Sequence, residues 1–410
     1  KLLLEKVPLP RSISCGNFFV TLSLKICSRK FLWYYTAREV KAVEKFYMAA
    51  MGGADGLGNK SIELLVKFFG SAKAAWFADT ADLWKSGVRK NSLEAFIAWR
   101  KKFPDAPENL VSYCERQKIK LCSFFEEDYP PLLKEIDSPP MIFYYRGKLE
   151  TRAERIGIVG TRDNTAYGQN VALELGEELA AAGLTVVSGA ARGIDTFAHF
   201  GALKTGRTVA VLGYGINKIP TEKRKFFEEI VAKGGVIMTE FPPNFDGNTG
   251  TFPARNRVIA GLSRGVIVVE AGERSGALIT ANRAADFSRD VFVVPHSIFS
   301  PKSAGCHNLI RDGAILIKGA EDVLEEYNFE NKKIAPKIES EEKIVPAPKI
   351  ELAGNEKIIY DAIPQGDFIT LDEILNNVEE VSPAEISEII VQLELKNLIF
   401  EEDGRYSKKF

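Results

Sequence analysis

The chain has 410 residues, 45% hydrophobic and 27% charged, which suits globular material of about two to four domains. No apolar run reaches the ~18–20 residues of a membrane-spanning helix, so membrane insertion is not expected. Five scattered cysteines without a CxxC pair and three histidines speak against a disulfide framework or a metal site and fit a reducing cytoplasm, while a net charge of −1 excludes a uniformly basic nucleic-acid coat.

Residues 1–36 contain no Met, and their apolar patch Phe18 to Leu24 is too short for a secretory signal. They read as a leader, disordered or upstream of the true start. Over 37–125 apolar residues recur at spacings of three and four, which predicts a helical domain. Within it, Gly56-Leu57-Gly58 reads either as a helix-hairpin-helix turn offering N–H groups to a phosphate or as a plain helix–helix turn. The prolines of Asp128-Tyr129-Pro130-Pro131 and Ser138-Pro139-Pro140 end that pattern, and Met141–Arg146 predicts a strand.

Strands and helices alternate over 155–325, within a Rossmann-like domain expected at 126–327. Strands are expected at Arg155–Gly160, Thr185–Ser188, Thr208–Leu212, Val236–Met238, Gly265–Glu270, Val291–Val294 and Ala314–Ile317. Most are continuous apolar runs, as strands buried on both faces are. Helices are expected at Gly168–Ala182, Ile194–Thr205, Glu222–Lys233, Asn256–Ser263 and Ala277–Ser288. The fold class is α/β, a Rossmann-like, doubly wound, mainly parallel sheet. A Lys-, Glu- and Pro-rich linker covers 328–353. Residues 354–410 predict three helices and a hairpin turning at Asp403-Gly404, a winged helix.

Charge is unevenly spread: residues 1–150 hold 24 basic and 17 acidic side chains, residues 354–410 hold 5 and 13. A surplus of eight acids would repel phosphates, so the winged helix reads as a protein-contact module.

In an open parallel sheet ligands sit beyond the carboxyl ends of the strands, where loops enter helix N-termini. The loops there carry Gly160, Thr161 and Arg162, then Ser188, Gly189 and Arg192. Further on come Lys223 and Arg224, then Arg255, Asn256 and Arg257, and finally Arg274, Ser275 and Gly276. Glycines admit close approach, helix N-termini favour anions, and guanidinium groups fork onto phosphate oxygens. Tyr167, Tyr214 and Phe252 are candidates to stack on bases. The run Lys223-Arg224-Lys225 reads equally as an anion site or a solvated face. Asp195 fits a helix cap better than a catalytic acid, and His199 a core residue better than a ligand. There is no GxGxxG or GxxxxGK[ST] signature and no Ser/Cys/His nucleophile arrangement, so no catalytic residue, metal or cofactor is assigned.

The motifs IGIVGTR, SGAARGIDTFAH, AVLGYG, TEFPP, FPARNRVIAGLS, VVEAGERSGALITANRA, DVFVVP and GCHNLIRDGA run in order from 156 to 314. They resemble the DNA-processing protein A family (DprA/Smf), as do DYPPLLKEIDSPPMIFYYRG before them and the acidic winged helix after them. The resemblance implies a single-stranded DNA pocket, a homodimer, and loading of the RecA recombinase in natural transformation. It places the family's phosphate-contacting arginines on Arg162, Arg255 and Arg257, with a basic position near Arg224. Four positions depart from the pattern: Ala190 for glycine, Ile219-Pro220 for Tyr-Pro, Asn217 for an acid, and His296 for the glycine after Pro295. The reading taken forward is a non-enzymatic single-stranded DNA-binding protein. A nucleoside-monophosphate phosphoribohydrolase is the alternative, although its PGGxGTxxE motif is missing where Glu270–Gly276 stands. An adaptor working only through the acidic module is the third.

Overall fold

A computed structural model describes residues 43–329, 352, 354–364, 368–378, 381–395, 398–402 and 405–408. The leader, the linker from 330 to 351 and the turn at 403–404 lie outside the described residues. The chain divides into two compact units, 1–334 and 335–410.

The first unit opens with helices at 43–51, Asn59–Phe69, Ala72–Phe77, Thr80–Leu83, Lys90–Lys102 and Ala106–Arg116. They close on Trp76, Phe96, Leu65 and Leu93, each at most 1% exposed. The same apolar cluster continues into Met141, Tyr144 and Leu212 of the sheet region, so helices and sheet share one core.

Nine strands form the sheet: β1 (Lys120–Ser123), β2 (Ile142–Gly147), β3 (Arg155–Val159), β4 (Thr185–Ser188), β5 (Thr208–Val211), β6 (Val236–Thr239), β7 (Gly265–Val268), β8 (Asp290–Val293) and β9 (Ile315–Leu316). Their order is β1-β2-β6-β5-β4-β3-β7-β8-β9. From β6 to β9 all pairs are parallel, and β2 runs antiparallel to both β6 and β1. Strand alternation divides the side chains between two layers. Ile156, Ile158, Ile267 and Val269 face helices Ala166–Ala181, Ile194–Thr205 and Ala320–Glu326. Val159, Val266 and Val268 face Thr251–Leu262 and Gly276–Asp286. This is the expected doubly wound, Rossmann-like α/β architecture.

Two differences in the first unit matter. Residues 120–123, expected within the helical domain, pair along β2 in the register Lys120↔Tyr145 and form the sheet's edge. The helix expected from Asn256 starts five residues earlier, at Thr251. Pro253 falls in its first turn, where N–H groups have no intrahelical acceptor, so the proline breaks nothing.

The second unit has helices Asn355–Ala362, Leu371–Asn377 and Pro383–Leu395 around Ile359, Ile374, Ile386 and Leu393. Its three-stranded antiparallel sheet has the order β10 (Ile369–Thr370), β12 (Arg405–Lys408), β11 (Ile399–Glu402). Thr370 and Glu373 close a capping box on the second helix.

Candidate functional site

The strand order reverses at β3, which lies between β4 and β7, so the loops leaving β3 and β7 diverge and open a crevice. A pocket of about 700 Å³ occupies it. Of the expected residues, Gly160, Thr161, Arg162, Arg255, Asn256, Arg274, Ser275 and Gly276 line this one pocket, together with Phe252.

Backbone hydrogen bonds tie the bases of neighbouring loops to one another. Thr161 N–H donates to Glu270 C=O at 2.8 Å, and Ile194 N–H to Thr161 C=O at 3.2 Å. Arg162 and Arg274 are exposed, and among the described residues neither has an acidic partner within 4.0 Å. The Arg162 guanidinium lies 5.9 Å from the Phe252 ring centre. Ser275 Oγ accepts from Ala277 N–H at 3.3 Å, capping the helix whose first turn borders the pocket. Lys302, which sequence reasoning missed, completes the rim and pairs with Asp163 at 3.3 Å. Its signal was available, because the loop after β8 must end beside the loop after β7.

Arg255 plays another part. It is 5% exposed, and its Nη1 donates to Gly189 C=O at 2.8 Å and to Val211 C=O, tying the ends of β4 and β5 together. A side chain at Gly189 would collide with this guanidinium, which explains the glycine. Asp195 is not the helix cap, since Gly193 holds that position. Its buried Oδ2 accepts instead from the N–H groups of Gly189 and Ala191, at 3.1 and 3.4 Å. Burial pushes the Asp195 carboxyl up while nearby Arg255 pulls it down, and burial likewise pushes Arg255 down.

Arg257 is not in the pocket. It pairs with Glu240 and donates to Ser138 C=O at 2.6 Å. Residues two apart on a helix point about 200° apart, so Arg255 and Arg257 cannot share a site. Ser188 is buried, its hydroxyl donating to Ile158 C=O. Lys223 donates to Ala190 C=O at 3.0 Å, and burial pushes its ammonium down. Arg192 is exposed and donates to Arg162 C=O, and Arg224 is exposed; neither lines the pocket. His199 is fully buried with Nδ1 2.6 Å from Thr208 Oγ1. Of the aromatic candidates Phe252 alone lines the pocket; Tyr167 donates to Pro295 C=O, and Tyr214 packs against the core.

The N-terminus of helix Ala166–Ala181, where a Rossmann fold seats a dinucleotide's pyrophosphate, is already filled. Glu270, fully buried, turns its Oε2 to Thr165 N–H at 3.0 Å. The chain's own carboxyl group takes that position, and the free cations stand one loop further out.

The family model described as DNA recombination-mediator protein A matches residues 120–328. Protein Smf of Synechocystis is 34% identical over 89% of this chain and 99% of its own length. DNA processing protein DprA of Bacillus subtilis is 39% identical over 60% of this chain and 82% of its own. Among solved structures, the X-ray structure of DprA from Streptococcus pneumoniae superposes with TM-score 0.60 at 35% identity, covering 68% of this chain and 97% of that one. No helix among the described residues is long and apolar enough to cross a membrane.

Proposed function

The chain belongs to the DNA recombination-mediator protein A family, and we propose that it holds single-stranded DNA across the pocket between the β3 and β7 loops. One observation carries this reading: Arg162 and Arg274, both without acidic partners among the described residues, line the same pocket as the Phe252 ring and the Asn256 amide. Fixed cations beside an aromatic face suit a flexible polyanion whose bases are unstacked. Arg255 and Asp195 shape the loops, and Arg257 braces the helix against Glu240. Loading of RecA and a homodimer belong to the same proposal and rest on the likeness to DprA, while a protein-contact role for residues 354–410 rests on their surplus of acids.

Titration of labelled single- and double-stranded oligonucleotides at several salt concentrations tests it. Single strands should bind more tightly, with affinity falling steeply as salt rises. Arg162→Ala should weaken binding by at least about tenfold, as the loss of ~1.5–3 kcal/mol from a charged hydrogen bond requires, and reduce the salt slope by about 0.7. Duplex preference, or an Arg162→Ala protein that binds as well as the parent, rules the reading out.

A further inference from the structure

A second cavity, of about 850 Å³, lies in the first unit where helices 43–51, Lys90–Lys102 and Ala106–Arg116 meet the loop leaving β6. Its walls are aromatic. Trp99 and Phe103 lie 4.4 Å apart, tilted by 50°, and Phe245, which also lines the cavity, is backed by Phe241 outside it at 5.2 Å. Trp99 is held rigidly, its indole N–H donating to Ala50 C=O at 2.9 Å. Phe103 is 39% exposed, with the Lys102 ammonium 5.2 Å from its ring centre.

The rim is cationic and amidic. Lys102 and Arg116 are exposed and, among the described residues, have no acidic partner within 4.0 Å; Asp105 is the one carboxylate in the lining. Asn244 Oδ1 accepts from Tyr113 Oη at 2.8 Å and from Asn217 Nδ2 at 3.2 Å, leaving its own amide N–H groups for another acceptor. A groove for a partner helix would need only apolar walls. Rings beside free cations and amides are the set that grips a base and its phosphate.

The two cavities are close neighbours. Phe245 lines the second and Thr249 the first, and four Cα–Cα steps of ~3.8 Å cannot span more than about 15 Å. A few nucleotides bridge that gap. We propose that the aromatic cavity is a second subsite for the same single strand, stacking a base on Phe103 and Trp99 while Lys102 and Arg116 meet its phosphates. This rests on the function proposed above.

Full-length Phe103→Ala, the double variant Lys102→Ala/Arg116→Ala and Arg162→Ala are to be titrated with oligothymidylates of about 4 and about 20 nucleotides. On the long probe Phe103→Ala should bind roughly tenfold more weakly, and the double variant's salt slope should fall by about 1.4. On the short probe both should match the parent. A long strand carrying 5-iododeoxyuridine should crosslink within 99–103 or 241–245. Long-probe binding within about twofold of the parent for both variants, with Arg162→Ala still impaired, overturns the second subsite alone. So does a loss equal on both probes, or crosslinks confined to the first pocket. A parent protein that binds neither probe overturns the proposed function as well.

Discussion

Ala190 stands at φ +52°, in the left-handed region where the family pattern has glycine. An L-residue pays roughly 1–2 kcal/mol there, and glycine's extra chain entropy offsets about 0.5–1 of that. Ala190→Gly should therefore stabilise the protein by about 0.5–1 kcal/mol, read as a higher urea midpoint at an unchanged slope. A lower midpoint refutes the strain. His199, at the next layer inward, makes an argument about pH. Thr208 Oγ1 donates to Val186 C=O at 2.8 Å, so it accepts from His199 Nδ1–H, and Nε2 is left buried without a partner. Burial, then Arg255 and Lys223, push its pKa down to about 3 from 6.5. The unfolded chain takes up this proton below pH 6.5 while the folded one does not, so stability falls as pH drops from there, by up to ~1.4 kcal/mol per unit. In His199→Asn, whose amide nitrogen replaces Nδ1, unfolding free energies between about pH 6.5 and 5 should lose that slope. An unchanged slope assigns the acid sensitivity to other groups.

At the level of elements, what the sequence revealed follows from how locally each signal is written. β3, β4, β5 and β7 are buried along their whole lengths, so they stand out as short apolar runs. β1 is an edge strand with an exposed Lys120, entered through Lys118 at φ +52° without a glycine or proline to mark the turn, and it passes for the tail of a helix. The arginines of the loops were legible as a group, but which of them are free was not. Arg257 is neutralised by Glu240, 17 residues away in the chain, and the Arg255 donors are taken up by carbonyls of two strand ends, none of which spacing reveals. Glu270 likewise reads as a loop acid until the fold brings it to Thr165. The helix pair Ala166–Ala181 and Ile194–Thr205 gives a test at this scale. Gly176 and Gly201 sit where the helices touch, and a Cβ on Gly201 would run into the Leu173 carbonyl. Glycine-to-alanine inside a helix ordinarily stabilises by about 0.5–1 kcal/mol. Gly201→Ala should instead destabilise by about 2–3 kcal/mol, because backbone cannot yield as a side chain does. A stabilised Gly201→Ala protein, measured by denaturant unfolding, shows that the helices separate freely.

At the level of the whole molecule the charge division coincides with the division into units. The free cations of the pocket lie in the unit ending at 334, while the other unit exposes Glu385 and Glu388 on its longest helix. The slope of log affinity against log salt counts the phosphates a protein neutralises, each worth about 0.7 for single strands. An acidic unit adds nothing to that count, and 0.1 M salt screens surface charges over about 10 Å. Removing 335–410 should therefore leave the salt slope unchanged and the affinity for a long oligothymidylate within about threefold at 0.1 M salt. The core of the remaining unit is untouched, since the second unit's apolar cluster is built from residues 352 onward. A tenfold loss on truncation, or a slope lowered by one phosphate or more, moves the binding surface into the acidic unit and reverses the assignment of roles between the two.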